Sequence, residues 1–354
     1  MKKITALFFT LLLAVFAVAQ APSNYYNAAN GLTGNPLKVA LHNIVKGHTS
    51  ISYAQLWNAF WSTDNKGNGI VWDMYSDKPN GTPPYTYYLG EDQCGNYTSE
   101  GSCYNREHSW PQSWFNNQTT PRTDLHHIFP TDGYVNGRRS NYAYGEVGSA
   151  SWTSRNGSKL GTCKTSGFSG TAFEPIDEYK GDFARAIMYM SVRYYSEDGS
   201  WGSSDMTTKS EIKPWAIQML LRWNELDPVS QKEIDRNNAI YNDYQHNRNP
   251  FVDHPEYARM IWDPTWNAVD EESNAVYLFP NPVERGQVLH LSGNASAFDA
   301  VEICDLCGRK LIKAAGKPVG DFVVSLPDDM PQGCYIVKLT RNGSVVKYEK
   351  LLVK

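Results

Sequence analysis

Between Asn105 and Gly145 the chain crowds together side chains that carry protons, charge and metal ligands. Glu107, His108, Asp124, His126, His127, Asp132, Asn136, Arg138, Arg139 and Asn141 all fall in this one stretch, and three of the chain's 8 histidines are among them. Imidazole takes up a proton near neutral pH, as a general base must. One carboxylate and one amide oxygen suit a hard divalent cation that keeps several waters of its own. Guanidinium groups meet phosphate oxygens through paired hydrogen bonds. Together these types suit the hydrolysis of a phosphodiester: a base to strip water, a cation to polarise the phosphoryl group, and positive charge on the phosphate.

Such groups need rigid elements to hold them. "YNREHSW" reads as a short strand ending at a Pro turn, and "TDLHHIFP" as a second strand. "TDGYVNGRRSNYAYGEV" starts a helix with Thr131 or Asp132 as its N-cap. This ββα unit sets the end of a strand beside a helix face. Neighbours on a strand point to opposite faces, so only one of His126 and His127 can look toward His108; the other is a core histidine. Asp124 and Asp132 read as turn or cap residues rather than metal ligands.

Elsewhere, "NPLKVALHNIVKG" and "SYAQLWNAFW" predict helices within residues 24–62, and "DFARAIMYMSVRYYS" an amphipathic one over 182–196. "EIKPWAIQMLLRWNELD" and "SQKEIDRNNAIYNDYQH" predict two more. "GIVWDMYS" is strand-like, the Gly-rich stretch 145–170 reads as loop, and 250–266 as a Pro-rich closing loop. Arg185 and Arg193 are expected to be solvated, with Lys180 and Arg185 as alternatives for lining a groove. The composition changes after an acidic linker, residues 269–277. From Leu278 to Lys354 alternating segments predict a small Ig-like β-sandwich of about five to seven strands. The fold class is thus α+β, a mainly helical domain over residues 20–268 followed by the sandwich over 278–354.

Lys2 and Lys3, the apolar run Ile4–Val18 and the small-x-small site Ala17-Val18-Ala19 predict a signal peptide over residues 1–19. The expected location is secreted or cell-surface, reached through the periplasm. The 6 Cys then meet an oxidising compartment. Cys94 and Cys103 flank a short loop and form the one pairing expected; a lone CxxC, Cys304 and Cys307, is too little for zinc. The net charge of −4 does not announce a nucleic-acid binder, so positive charge must be local or come from a metal. A metalloprotease is disfavoured because there is no HExxH pattern. A non-catalytic extracellular adhesin or glycan-binding protein is the alternative, suggested by 22 Tyr and 11 Trp and by the sandwich.

The motifs "REHSWP", "DLHHIFPTD", "VNGRRSN" and "YG", in this order, resemble the bacterial endonuclease I family, secreted and periplasmic nucleases of the ββα-metal (His-Me finger) group. The resemblance runs on through "FEPIDEYKGDFARAIMYMSVRY" and "RNNAIYNDYQHNRNPFVDHPEYARMIW", roughly residues 25–265. It implies a secreted, sequence-nonspecific endonuclease acting on DNA and RNA by a one-metal mechanism and leaving 5′ phosphates. His108 matches the general base, and Glu107 and Asn136 the ligands of magnesium, with manganese or calcium as alternatives. Arg138 and Arg139 match a basic pair that touches phosphate or braces the motif. His127, of the recurrent His pair, and Arg122, the one arginine in the loop between the strands, are assigned to the catalytic set. "LFPNPVERGQVLHL", "VEICDLCGRKL" and "GCYIVKLTRNGSVVKYEKLLVK" resemble the type A sorting domain of the type IX secretion system, which implies that machinery as a partner. No stable protein partner is expected, and the chain is expected to be a monomer.

Overall fold

The structure is a computed structural model that describes residues 21–95, 97–263, 276–293, 298–305, 308–315, 322–341 and 344–354. The expected signal peptide, most of the linker and Cys307 lie outside the described residues. The chain divides into two compact units, Met1–Pro264 and Thr265–Lys354. Both α and β elements are present, and the class is mixed α+β.

In the first unit, helices α1 (Gly34–Val45) and α2 (Gln55–Thr63) precede strand β1 (Tyr104–His108). A one-turn helix α3 (Thr119–Arg122) lies in the connection to β2 (Ile128–Asp132). The two strands pair antiparallel, with Glu107 opposite Phe129 and His108 opposite Ile128. Helix α4 (Gly133–Arg139) follows without a break. Asp132 caps it, its carboxylate accepting the Val135 N–H at 2.8 Å and the Tyr87 hydroxyl at 2.6 Å. The expected ββα order is therefore present, with one change. Leu125–His127 is a 3-10 turn, not strand, because the Asp124 carboxylate accepts the His126 N–H and closes the turn. The strand begins only at Ile128.

Two stretches expected as loop are ordered elements. Within 145–170, β4 (Val147–Thr153) and β5 (Lys159–Cys163) pair antiparallel and join β3 (Ala143–Tyr144) and β6 (Thr171–Glu174) in a sheet of order β3-β6-β5-β4. Within 250–266, α8 (Pro250–Asp253) and α9 (Tyr257–Trp262) form short helices, the first capped by Asn249. "GIVWDMYS" makes only isolated bridges, Asn65 with Val71 and Ile70 with Tyr88.

Helix α5 (Lys180–Arg193) is the axle of this unit, and all its residues are buried. The amphipathic expectation fails because its charged residues are paired inside. Lys180 bonds Glu174 at 2.7 Å, Asp182 holds Lys232 at 2.7 Å, and Arg185 Nη2 reaches Glu233 at 2.9 Å. Glu233 also closes a capping box with Ser230 at the start of α7 (Gln231–Ala239), while α6 (Pro214–Leu226), preceded by the paired strands β7 (Thr207–Thr208) and β8 (Glu211–Ile212), packs along α5. Lys180, Arg185 and Arg193 are thus core residues, not groove-lining ones, since a buried charge persists only when paired.

In the second unit two sheets, of orders β9-β10-β13 and β12-β11-β14-β15, share one apolar cluster that includes Leu289, Leu291, Ile303, Val337 and Leu351. The strands are β9 (Val276–Phe279), β10 (Val288–Gly293), β11 (Ala300–Cys304), β12 (Lys310–Ala315), β13 (Phe322–Ser325), β14 (Gly333–Arg341) and β15 (Ser344–Val353). Val301 and Ile303, two apart on β11, both enter that cluster, as alternation requires.

Candidate active site

β1 delivers Glu107 and His108 to its end, and both are buried. Arg139, from the last turn of α4, braces them. Its guanidinium donates to the carbonyls of His108 at 2.9 Å and Ser109 at 2.6 Å, and it pairs with Glu107 Oε1 at 3.1 Å. Arg139 is 1% exposed, so it does not face a phosphate. That corrects the expectation of a phosphate contact there: Val135 and Arg139 lie one helical turn apart on the inward face. Removing such a partner from a buried carboxylate costs about 3–5 kcal/mol.

Arg138, one residue earlier, points elsewhere. It has no hydrogen bond or ion pair among the described residues, and its guanidinium rests 5.4 Å from the centre of the Trp152 ring. Of the basic pair, it is the member with donors to spare.

Glu107 is held on one oxygen. Tyr75 Oη donates to Oε1 at 2.9 Å and Tyr144 Oη at 3.4 Å, beside the Arg139 contact on the same atom. Oε2 has no partner among the described residues. Burial pushes the carboxyl up, opposed by Arg139 and by the tyrosine hydrogen bonds. Asn136 Nδ2 donates to Asn105 Oδ1 at 2.7 Å, which leaves Asn136 Oδ1 without a partner among the described residues. Asn105 and Glu107 are two apart on β1 and share a face, so Asn136 is tied to the face that carries Glu107. One carboxylate oxygen and one amide oxygen remain, a donor set that fits a hard divalent ion retaining its waters. Among the described residues no three His, Cys, Asp or Glu side chains cluster to hold a metal, and this pair does not call for three.

The His108 ring is oriented by its neighbours. Its Nε2 lies 3.1 Å from the Arg122 carbonyl, which can only accept, so Nε2 carries the proton. Arg122 Nε donates to Gln112 Oε1 at 2.9 Å, which turns the Gln112 amide nitrogen toward His108 Nδ1 at 3.4 Å. Nδ1 therefore holds the lone pair. Burial, then the neighbouring His127, pushes the pKa of His108 down to about 3, so the ring is neutral in ordinary buffers.

His127 and His126 separate as expected. His127 packs edge-on against His108, with ring centres 5.5 Å apart, and donates from Nε2 to the Pro121 carbonyl at 2.6 Å. It is fully buried and packs against the His108 ring rather than reaching solvent. His126 turns away, its ring 4.6 Å from Tyr189 and its Nε2 3.2 Å from Asn247 Oδ1. Arg122 lies beside His108 through its carbonyl, and its guanidinium sits 4.1 Å from the Tyr53 ring centre. Arg106, between Asn105 and Glu107, lies over the same ring at 3.6 Å. Sequence reasoning missed Gln112, Tyr75, Tyr144 and Asn105. Only Asn105 carried a signal, two residues before Glu107 on one strand face.

Behind α4 the Cys94–Cys103 disulfide is formed as expected, with Cα atoms 5.7 Å apart. Its loop lays Tyr97 across Gly133 and Gly137. A Cβ at Gly137 would meet the Tyr97 hydroxyl at 2.3 Å, so with any other residue there the ring must shift from this place.

A neutral imidazole whose lone pair meets only the long Gln112 contact thus sits beside a carboxylate oxygen and an amide oxygen without partners among the described residues, an arrangement that suits hydrolysis. The chain belongs to the endonuclease I family, whose model matches residues 33–256, and it is an endonuclease. It is similar to the extracellular ribonuclease of Bacillus amyloliquefaciens, 39% identical over 258 residues that cover 70% of this chain and 81% of that one. The extracellular ribonuclease of Bacillus subtilis (strain 168) is 37% identical over 244 residues, 67% of this chain and 78% of its own. The endonuclease-1 of Buchnera aphidicola subsp. Acyrthosiphon pisum is 28% identical over 131 residues, 37% of this chain and 44% of its own.

Proposed function

We propose that the chain is a secreted, divalent-metal-dependent endonuclease of the ββα-metal type that hydrolyses DNA and RNA without regard to sequence, with His108 as its general base. The observation that carries this reading is the orientation of one ring: His108 spends its N–H on the Arg122 carbonyl and keeps Nδ1 as a proton acceptor. The 3.4 Å contact from Gln112 is long and readily exchanged for a water. His108 takes a proton from that water. The water oxygen bonds to phosphorus in line with the P–O3′ bond, which breaks, leaving a 5′ phosphate and a 3′ hydroxyl once solvent protonates the departing oxygen. Glu107 and Asn136 would hold magnesium, or manganese or calcium, whose charge offsets that developing on the phosphate and the leaving oxygen. Arg122 and Arg138 have donors to spare for phosphate; Arg139 and His127 hold the base and the carboxylate in place.

These contacts address the sugar-phosphate backbone, so affinity should fall with salt and not with sequence. The ribonuclease names of two relatives support action on RNA, the endonuclease name of a third supports cleavage within a strand, and the two extracellular relatives support secretion. The second unit is proposed as a type IX sorting domain engaging that machinery, on a chain that is otherwise a monomer.

The test is plasmid nicking and RNA degradation by the mature protein with magnesium, with EDTA, and with His108→Ala. Chelation should stop cleavage, and the variant should lose about 10²- to 10⁴-fold while remaining folded. Equal cleavage by variant and wild type would sink the assignment of His108. No cleavage by wild type with any divalent ion would sink the mechanism.

A further inference from the structure

Beside His108 lies a cavity of about 300 Å³ whose walls include Ser50, Tyr53, Thr119, Thr120, Arg122 and Thr123. Its size is at the lower end of small-molecule sites, about 300–1,000 Å³, and so fits one nucleoside rather than a length of duplex. Its chemistry is equally particular. The serine and threonine hydroxyls donate and accept, so they can bind ribose hydroxyls or base edges without selecting one base. The Arg122 guanidinium is parked over the Tyr53 ring at 4.1 Å and tied through Nε to Gln112, while its terminal nitrogens have no partner among the described residues. Tyr53 also joins the cavity to the base, its ring lying 6.2 Å from that of His108 at an interplanar angle of 23°. A cation for phosphate, hydroxyls for a sugar and a concave wall for a base thus meet within one side chain of the reacting centre.

We infer that this cavity is a nucleoside subsite: it receives one base and sugar turned out of the strand next to the scissile phosphate, and it makes unpaired nucleic acid the preferred substrate. The inference rests on the nuclease reading above and narrows it. A base inside a duplex is stacked and paired and must be extruded before it can enter a concave site, whereas an unpaired strand presents its bases with little hindrance. Hydroxyl walls leave the choice of base open, consistent with backbone-directed recognition.

The test uses the full mature chain with magnesium and an end-labelled single-stranded oligonucleotide carrying one abasic residue. Cleavage at one of the two bonds flanking that residue should fall about tenfold against the same bond in the unmodified strand, because the cavity has lost its occupant. Ser50→Trp and Thr119→Trp, on two different segments of the wall, each fill the cavity. Each should raise KM on the single strand about tenfold, narrow the ratio of single-strand to duplex cleavage, and erase the abasic effect; thermal unfolding checks that each is folded. Should abasic-flanking bonds be cut at the normal rate, and filled variants keep the wild-type ratio, the subsite is wrong while the nuclease stands. A wild type that cuts no strand at all overturns the nuclease reading itself.

Discussion

Two buried polar clusters flank the turn at Leu125–His127, and they are built on opposite plans. On one side Asp124 spends both oxygens twice. It accepts from the His126 N–H at 3.1 Å and Gln245 Nε2 at 3.0 Å on one, and from the hydroxyls of Tyr189 and Tyr194, each at 2.9 Å, on the other. Asn247 extends this net, donating to Tyr189 Oη at 2.8 Å and to the Val45 carbonyl at 3.1 Å. On the other side Glu107, His108 and Asn136 are equally well anchored, yet Glu107 and Asn136 each retain one unspent acceptor, His108 Nδ1 has only the long 3.4 Å contact from Gln112, and Arg122 and Arg138 retain donors. Saturated networks fix a core, and satisfied valences are the rule for buried polar groups. A reacting site departs from that rule at chosen atoms. Counting the valences left over, rather than the polar residues gathered, tells the two clusters apart.

The comparison can be strained most strongly with acid. Burial first of all pushes His126 and His127 down to about 4 and His108 to about 3, so all three are neutral when folded, whereas in the unfolded chain they titrate near 6.5. Below that value the unfolded state binds protons that the native state refuses. Stability is therefore full above about pH 6.5 and is lost as pH falls toward 4, by about 2 kcal/mol for each histidine at pH 5. Tm should drop by more than ~10 °C between pH 7.5 and 5; a flat Tm over that range would mean that the rings are not held neutral. Asp124 acts in the same direction at lower pH. Although burial opposes its charge, the surrounding histidines and Gln245 hold its carboxyl well below the usual carboxylate range.

Next in size is Asp124→Ala, which orphans buried donors on four residues. It should cost roughly 3 kcal/mol or more of stability, yet leave the kcat of the folded fraction within about threefold of wild type. Denaturant titration and active-site-normalised kinetics read the two effects separately. A tenfold fall in kcat without loss of stability would mean that the saturated cluster takes part in the chemistry after all. The smallest effect belongs to Arg138→Ala, whose half-buried cation has no hydrogen bond or ion pair among the described residues. KM for nucleic acid should rise a few-fold, and the slope of log affinity against log salt should shrink by about one. An unchanged salt slope would remove Arg138 from the phosphate contacts.

Much of the site was legible because local rules wrote it. Asp132 caps α4 as an acidic residue at a helix start should, and the strand pattern of "YNREHSW" puts Glu107 and His108 at the end of β1. Arg138 and Arg139 were not separable by type. A helix turns each residue by about 100° from its neighbour, and only the inward partner Val135 marks which arginine goes in. The sheet over 143–174 escaped notice because β4 is Gly- and Ser-rich and exposed along most of its length, so it lacks the alternation that betrays a half-buried strand. Helix α5 misled for the opposite reason. Its charges suggested a wet face, but Asp182 and Arg185 are paired with Lys232 and Glu233 of α7, partners that a local pattern does not contain.

The contact between Tyr97 and Gly137 has a consequence for how this chain can vary through descent. The glycine in "VNGRRSN" is occupied space: its missing side chain is where the ring from the stapled loop lies. The two positions are thus one inherited unit. A small residue at 97 frees position 137 to become alanine or serine, whereas with the ring kept a larger residue at 137 must push that exposed ring aside. The "VNGRRSN" motif of α4 therefore records, in part, the shape of the loop that lies against it.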